Sequence, residues 1–270
     1  MTTIMGIVNV TPDSFSDGGR YLDAEAAIAH GRELLAEGAD ILDVGGESTR
    51  PGAAEVGVAE ETERVVPVIE ALAAEGARTS VDTSKAEVAA AALAAGAEIV
   101  NDVTALGDPE MAAVCADACC GLILMHMKGT PRTMQEDPRY DNVVAEVGDF
   151  LAGRLAAGVA AGVEAERVWL DLGIGFGKTV DHNLELLARI DRIAELGRPV
   201  VVGTSRKNFI GVVTGREVGE RIGGSIATNV LAVAGGASVL RVHDVAETID
   251  AIRVAGPILG LSEPLAGAVS

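Results

Sequence analysis

A seven-residue pattern, in which glycine and alanine lead into an apolar run, recurs four times along this chain. The four copies occupy residues 38–44, 76–82, 96–102 and 236–242, and each follows a stretch with helical composition. Glycine directly after a helix supplies the left-handed residue that ends the helix. A short β-branched run after it is typical of a parallel strand covered on both faces. The pattern therefore predicts a repeated joint between a helix and a parallel strand.

The same alternation, followed along the whole chain, predicts eight strands that are each followed by a helix. The predicted strands are residues 4–10, 41–45, 79–83, 98–103, 121–126, 168–173, 199–204 and 238–244. The predicted helices are residues 23–37, 59–75, 85–95, 109–118, 140–161, 181–196, 220–235 and 245–259. Eight such units close a barrel, and this fold needs roughly 250 residues. We therefore predict an α/β protein with a (β/α)₈ TIM barrel, forming one domain over residues 1–270 with a frayed tail at 262–270.

A doubly wound open sheet is the alternative fold. There a glycine-rich phosphate-binding turn follows the first strand, whereas residues 9–19 of this chain are NVTPDSFSDGG. A second glycine-rich segment, residues 171–179 (DLGIGFGKT), fits neither the Walker A nor the G-x-G-x-x-G spacing. We expect its glycines to let a ligand pack against bare backbone beside Asp171.

The charge and cysteine content restrict the partners and the compartment. The chain carries 21 basic and 40 acidic residues, a net charge of −19, which disfavours nucleic acid and anionic membrane surfaces. We find neither a signal peptide nor an uncharged apolar stretch of about 18 residues, so we expect no membrane association. Three cysteines argue against a disulfide framework and favour a reducing compartment, so we predict a cytoplasmic location.

Polar side chains follow nearly every predicted strand, at the end where a barrel carries its active site. A single Asp or Asn at such a place is often only a turn former, but a set that converges on one mouth predicts a binding site. The set comprises Asn9, Asp82, Asn101, Asp102, His126, Asp171, Ser205, Arg206, Lys207, Arg241 and His243.

Two loops have compositions that suit lids over a site, namely residues 11–19 and 45–53, although ordinary turns are the alternative. Barrel enzymes often bind phosphate at the loops after the last two strands. Arg241 and His243, together with Thr49 and Arg50, therefore form a candidate anion site, although each arginine taken alone also fits a solvated surface charge.

A metal centre of His126, Asp171 and His243 is conceivable, but the histidines lack the spacing of known metal motifs. Cys115, Cys119 and Cys120 also lack partners at ligand spacing, and we expect them to be small core residues.

Seven motifs, in this order, resemble those of the dihydropteroate synthase family. They are NVTPDSFSDGG (9–19), GGESTRPG (45–52), SVDTS (80–84), LMHM (124–127), GIGFGK (173–178), SRK (205–207) and RVHD (241–244). The resemblance extends from about residue 4 to residue 259. It implies a (β/α)₈ barrel, a homodimer, and condensation of 6-hydroxymethyl-7,8-dihydropterin diphosphate with p-aminobenzoate to 7,8-dihydropteroate and pyrophosphate.

The resemblance also implies a role for each matched position. Around the pterin it places Asp82, Asn101, Asp171 and Lys207. On the diphosphate it places Thr49, Arg241 and His243, and on a Mg²⁺ ion shared with that diphosphate it places Asn9. Around the aminobenzoate it places Phe15, Thr49, Arg50, Pro51, Phe176, Lys207 and Asn208. The chemistry agrees, because a buried carboxylate such as Asp171 accepts two hydrogen bonds from a pterin edge while Lys207 donates one.

We expect a dissociative substitution with catalytic roles for Asp17, Lys207, Arg241 and His243. Mg²⁺, Arg241 and His243 stabilise the charge that grows on pyrophosphate. Asp17 stabilises the resulting pterin-methyl cation and closes the first loop. The aromatic amine then attacks without a strong base, which is consistent with the lack of a nucleophile–base pair.

Two positions depart from the family pattern. Leu172 replaces a usual proline, and Asn208 replaces a small hydroxyl or basic residue; both are expected to tune aminobenzoate or sulfonamide affinity.

Two other functions stay open. A pterin-dependent methyltransferase of related fold is one alternative, but it does not need Arg50 and Lys207 in these loops. A non-catalytic paralogue with a regulatory role is the other, although every matched position apart from Leu172 and Asn208 carries the expected residue type.

Overall fold

Eight parallel strands close into a barrel in the order of the chain. This computed structural model describes residues 2–10, 20–49 and 52–261, and for residues 20–23 it describes the backbone alone. The strands are β1 (Thr3–Asn9), β2 (Ile41–Gly45), β3 (Thr79–Asp82), β4 (Ile99–Asp102), β5 (Gly121–Met125), β6 (Val168–Asp171), β7 (Val200–Val202) and β8 (Val239–Val242). Closure is made where β1 pairs with β8, with Thr3 opposite Val239. The predicted (β/α)₈ barrel is confirmed, and the open sheet is excluded.

Helices surround the barrel and connect successive strands. The described helices are α1 (Arg20–Glu37), α2 (Val58–Ala74), α3 (Ala86–Ala94), α4 (Met111–Ala118), α5 (Val143–Ala160), α6 (Val180–Ala188), α7 (Ile190–Ala194), α8 (Asn208–Thr214), α9 (Ile222–Ala234) and α10 (Val245–Ile258). The single helix predicted over 181–196 is two helices, because Arg189 leaves the helical conformation at φ −130° and ψ 34°. Helix α8 was not predicted, because its seven residues are too short for a periodic pattern.

The glycine–alanine joints have the conformation that the sequence predicts. Gly38, Gly76, Gly96 and Gly236 have φ values of 107°, 86°, 109° and 105°. These lie in the region that residues with a Cβ rarely adopt. The alanine after each glycine turns back onto the helix, as where the Ala39 N–H donates to the Leu34 carbonyl at 2.9 Å.

Two apolar layers hold the barrel together. The larger lies between strands and helices and includes Val8, Leu42, Val100 and Leu124. The smaller fills the inside of the barrel near the amino ends of the strands, and consists of Met5, Ile41, Ile99, Ile123, Val201 and Val239, with Trp169 against it. We call this second set the lower layer. Because side chains alternate across a strand, the residue two positions after each member also faces the inside of the barrel, nearer to the carboxyl ends.

The cysteine prediction is only partly right. Cys115 and Cys120 are buried as expected, but Cys119 is exposed. Cys119 caps helix α4 with φ 50°, and this left-handed turn directs its side chain away from the core. No helix among the described residues is long and apolar enough to cross a membrane.

Candidate active site

A polar layer lies inside the barrel directly above the lower layer. Asp43 follows Ile41 by two positions, Asn101 follows Ile99, and Arg241 follows Val239. Asp82 and Asp171 end β3 and β6 at a similar height. We call Asp43, Asp82, Asn101, Asp171 and Arg241 the mouth layer. The alternation of the strands thus places five polar side chains on one apolar floor.

Arg241 links two carboxylates of the mouth layer, those of Asp43 and Asp82. Its Nε donates to Asp43 Oδ2 at 2.6 Å, and its Nη2 donates to Asp82 Oδ2 at 2.7 Å. Asn101 Nδ2 donates to the same oxygen of Asp43 at 3.1 Å. Asp43 is completely buried and was not predicted as a site residue. Its one available signal is a charged residue in the middle of an apolar strand, at ILDVG.

Burial and shared charge shift the protonation of this group. Burial raises the pKa of Asp82 to about 7, Arg241 opposes that shift, and the nearby carboxylates Asp43, Glu61 and Asp171 add to it. Burial by itself disfavours the charged form of Arg241, but Asp43 and Asp82 outweigh this effect and raise its pKa. The mouth layer therefore holds a firmly charged guanidinium beside a carboxylate that titrates near neutrality.

Asp171 and Lys207 line the same cavity, and their charges interact. The Gly173 N–H donates to Asp171 Oδ1 at 2.7 Å, while Lys207 Nζ donates to the Ile174 carbonyl and lies 4.4 Å from the centre of the Phe176 ring. Burial raises the pKa of Asp171, with Lys207 opposing. Burial lowers the pKa of Lys207 to about 8, and Asp171 opposes that shift. Lys207 is thus a cation that loses its proton within the physiological range.

The structure brings all four predicted pterin residues to one small cavity. Its lining includes Thr49, Asp82, Asn101, Asp171, Phe176, Lys207 and Arg241. Asn9, Asn208 and His243 lie outside this lining. Phe15, Asp17, Arg50 and Pro51 lie outside the residues that the structure describes, so their predicted roles have no geometry here.

Three predicted residues stand at the rim rather than in the cavity. His243 is held by Ser205, whose Oγ accepts from the His243 backbone N–H at 3.2 Å and lies 3.0 Å from its Nδ1. Asn9 is half-buried at the end of β1, and Asn208 is exposed at the start of α8. Arg206, which the sequence grouped with the site cations, is exposed and pairs with Asp244 at 3.1 Å.

A second cavity of about 390 Å³ adjoins the first and shares Thr49 and Asp82 with it. It lies under the loop after β2, which contacts the loop after β5 where the Gly52 N–H donates to the Pro131 carbonyl at 3.3 Å. Lys85 lines it and binds both Glu47 and the completely buried Glu61. Sequence reasoning missed this ion-pair group, because its members come from three separate segments.

The glycines of residues 173–177 serve the protein's own packing more than a ligand. A Cβ at Gly173 would lie 1.8 Å from the His126 carbonyl oxygen, and one at Gly177 would lie 2.3 Å from the Lys128 carbonyl oxygen. The expectation of a ligand against bare backbone is therefore wrong at these two positions. Only Gly175 faces the site, where a Cβ would lie 3.1 Å from Lys207 Cδ. Leu172 is completely buried in the outer apolar layer.

Metal ligation by His126 finds no support in the geometry. Its Nδ1 lies 2.8 Å from Lys178 Nζ, and burial, followed by the charge of Lys178, lowers the pKa of His126 to about 3. Within the described ranges no three histidine, cysteine, aspartate or glutamate side chains group in a way that could hold a metal ion.

Comparison with known proteins places this barrel in a family. Residues 5–243 match the model of the pterin binding enzymes. Dihydropteroate synthase of Escherichia coli K12 is 47% identical over 261 residues, which cover 96% of this chain and 93% of the relative. A structure of the Xanthomonas albilineans enzyme with 4-aminobenzoic acid superposes with a TM-score of 0.91 at 51% identity, covering 97% of this chain and 94% of that one. Another, with 7,8-dihydropteroate, gives a TM-score of 0.88 at 49% identity, with coverages of 97% and 95%.

A parallel barrel with a charged mouth over an apolar floor is typical of an enzyme that acts on a small molecule, and this chain belongs to the pterin-binding enzyme family. Within that family its relatives carry the name dihydropteroate synthase, so the resemblance read from the motifs is confirmed.

Proposed function

We propose that this chain condenses 6-hydroxymethyl-7,8-dihydropterin diphosphate with p-aminobenzoate, giving 7,8-dihydropteroate and pyrophosphate in folate synthesis. It is then a transferase that moves the pterin-methyl group from diphosphate oxygen to amine nitrogen. The observation that carries this proposal is the small cavity at the barrel mouth, whose lining combines hydrogen-bond acceptors of the mouth layer with two cations, Arg241 and Lys207. Relatives of nearly equal length with 4-aminobenzoic acid or 7,8-dihydropteroate bound support the same reaction.

The pterin is assigned to Asp82, Asn101, Asp171 and Lys207. A pterin edge presents adjacent N–H donors, and a carboxylate accepts two such bonds at once. Asp171 already accepts from the Gly173 N–H with Oδ1, which fixes the direction of the carboxylate. Lys207 Nζ donates to a backbone carbonyl. Because an ammonium group has three donors, Lys207 also has a donor for the incoming heterocycle. A flat ring is thereby bound by charge-assisted hydrogen bonds on two sides.

The diphosphate is assigned to Thr49, Arg241 and His243. Arg241 has five N–H donors, and its bonds to Asp43 and Asp82 occupy two of them. The remaining donors can bind phosphate oxygens and stabilise the negative charge that grows on the leaving group. Ser205 fixes the His243 ring at the same rim. The bridging carboxylates therefore position Arg241 without using up its donors.

Dihydropteroate synthases use a divalent metal ion, and we assign Mg²⁺ and a ligand role for Asn9. Two carboxylates, Asp82 and Asp171, line the cavity together with Lys207 and Arg241. The buried Asp43 carboxylate also binds Arg241, so a bound diphosphate needs further positive charge. The Asn9 carboxamide is half-buried at the rim and has no hydrogen-bond partner among the described residues. Oxygen ligands from one side chain and from substrate phosphate suit Mg²⁺. When bound, the ion neutralises charge on the pyrophosphate.

The aminobenzoate is assigned to the side of Phe176, Thr49 and Lys207, with Asn208 at its edge. Phe15, Arg50 and Pro51 are assigned there from the family pattern alone. Phe176 offers an aromatic face beside a cation, 4.4 Å from Lys207 Nζ, which suits a benzoate ring with its carboxylate. The aromatic amine is a free nucleophile at neutral pH, so the site needs no general base. Asp17 remains assigned to the stabilisation of the pterin-methyl cation.

We further propose a homodimer formed through helices α9 and α10, which pack side by side. Leu231, Val254 and Ile258 expose 64%, 67% and 79% of their surface there. Exposed apolar side chains on neighbouring helices are typical of a surface that a partner covers. Sedimentation should give twice the chain mass, and Leu231→Glu with Val254→Glu should give a monomer.

The cytoplasmic location and the single domain over residues 1–270 stay predictions.

The reaction is tested by mixing the protein with Mg²⁺, the pterin diphosphate and p-aminobenzoate and measuring pyrophosphate. We expect release that depends on aminobenzoate and yields dihydropteroate. Methyl transfer from a folate to a corrinoid protein would identify the methyltransferase instead. Binding of pterin without turnover under any of these conditions would identify the non-catalytic paralogue.

A further inference from the structure

A buried lysine lies directly behind the candidate site, at the end of the loop between β6 and α6. Lys178 is 2% exposed, and its Nζ lies 2.8 Å from His126 Nδ1, 2.9 Å from the Gly173 carbonyl oxygen and 3.0 Å from the Phe176 carbonyl oxygen. Burial lowers the pKa of Lys178. The His126 carbonyl oxygen also lies 3.3 Å from this Nζ. Four acceptors, none of them a carboxylate, thus surround the three donors of the ammonium group and stabilise its protonated form.

The turn that Lys178 holds, residues 173–176, touches both halves of the candidate site. The Gly173 N–H donates to Asp171 Oδ1 at 2.7 Å, on the pterin side. The Ile174 carbonyl accepts from Lys207 Nζ, and the Phe176 ring lies 4.4 Å from that atom, on the aminobenzoate side. A displacement of this turn therefore moves Phe176 relative to Lys207.

The conformation of the turn costs conformational entropy, so the turn gains from such a support. Gly173 and Gly175 have φ values of 62° and 85°, a region that costs conformational entropy to hold. The turn is closed by one backbone bond of its own, from the Phe176 N–H to the Gly173 carbonyl at 3.0 Å. From outside the turn, Asn183 Oδ1 accepts from the Gly175 N–H at 2.7 Å, and the exposed Gln135 donates to the Gly175 carbonyl. Among the described residues, only Lys178 bonds to both ends of the turn.

His126 completes the arrangement by presenting a fixed acceptor to Lys178. Its ring is 5% exposed and packs edge-on against Phe150, with ring centres 4.9 Å apart. Burial, followed by the charges of Lys178 and Lys128, lowers the pKa of this ring. The ring is therefore neutral, and its Nδ1 lone pair accepts from Lys178.

We infer that Lys178 and His126 are positioning residues of the proposed reaction: they hold the 173–176 turn so that Phe176 and Lys207 form a ready aminobenzoate half-site. The inference rests on the proposed function. Neither side chain lines the cavity, so the pair acts through the turn and not by touching substrate.

The test compares steady-state kinetics of Lys178→Met, His126→Leu and His126→Asn. An asparagine at position 126 places an oxygen acceptor where the His126 Nδ1 lies. A leucine, which is similar in size, offers no acceptor. We expect KM for p-aminobenzoate to rise about tenfold in the Met and Leu variants while kcat changes less than about threefold, and the Asn variant to stay within about threefold of wild type. Asp40→Ala is the control, because it removes a 2.7 Å bond from the Ile4 N–H at the opposite end of the barrel.

The outcomes distinguish a failure of this inference from a failure of the proposed function on which it rests. An unchanged KM in both Lys178→Met and His126→Leu overturns it, and so does an equal rise of KM in Asp40→Ala, which would mark general destabilisation. If Lys178→Met fails to fold, the Leu and Asn pair at position 126 decides, and equal KM values for those two overturn the inference. A wild-type protein that releases no pyrophosphate refutes the proposed function itself, before any variant is compared.

Discussion

The inside of this barrel contains two layers built on the same strands with opposite chemistry. The lower layer is wholly apolar, with Ile41, Ile99 and Ile123 at its centre. The mouth layer, two residues further along several of those strands, holds three carboxylates and a guanidinium. Burying charge costs free energy that apolar residues of similar size do not cost. The lower layer thus stabilises the fold, and the mouth layer is the part of the barrel to which we assign substrate binding.

The largest effect is expected from Arg241→Met, which removes the shared partner of Asp43 and Asp82. Leaving two buried carboxylates unpaired should lower the free energy of unfolding by about 3 kcal/mol at pH 7 and abolish measurable turnover. Urea denaturation measures the first and pyrophosphate release the second. Because unpaired buried carboxylates have raised pKa values, the stability loss should shrink as the pH falls and they take up protons. Full stability at pH 7 would contradict the assignment of this ion pair.

In the lower layer, Ile123→Ala should cost stability without affecting chemistry. Ile123 is completely buried, and truncation to Ala should cost about 3 kcal/mol from lost burial and the cavity left behind. The value of kcat/KM for the folded fraction should stay within about twofold of wild type. Denaturation and kinetics on the same sample check both parts. A large fall in kcat/KM would show that the two layers are not separate in function.

Asp171→Asn, in the mouth layer, should weaken binding and leave stability nearly unchanged, which is the opposite of the result expected for Ile123→Ala. The amide keeps the shape and relieves a buried charge, so unfolding free energy should change by less than about 1 kcal/mol. Pterin affinity should fall by about a hundredfold, because an amide offers one acceptor and a misplaced donor to the heterocycle. Isothermal titration with a pterin measures the affinity, and thermal melting is the control for folding. Unchanged affinity would remove Asp171 from the site.

The smallest effect is a change with pH. The pKa of Lys207 is lowered to about 8, so its side chain is cationic below that pH and neutral above it. We therefore expect kcat/KM for the pterin diphosphate to fall as the pH rises through about 8, because this ratio reports groups of the free enzyme. Lys207→Arg should move that fall to higher pH, since arginine keeps its proton. If kcat/KM falls at the same pH in the wild type and in Lys207→Arg, the fall must be assigned to another group.

The sequence predicted the strands and the glycine joints well because local chemistry determines them. Gly38 and Gly236 needed only their neighbours to indicate a left-handed helix end. The split of 181–196 into two helices was missed, because Arg189 carries no sequence signal for a break.

The contacts that assemble the site are non-local, and sequence reasoning missed them for that reason. Arg241 meets Asp43 across 198 positions and Lys178 meets His126 across 52. A lone aspartate in an apolar strand, or a lysine after a glycine-rich turn, does not reveal such a partner by itself. Resemblance supplied the pterin residues, and the geometry groups them, but their individual roles stay predictions.

A crystal structure with bound pterin diphosphate tests the central claim most directly. The account predicts that the heterocycle lies on the mouth layer with its N–H edge on Asp171, and that the diphosphate lies beside Arg241. A pterin found instead in the neighbouring cavity under the loop after β2, away from Asp171, would contradict it.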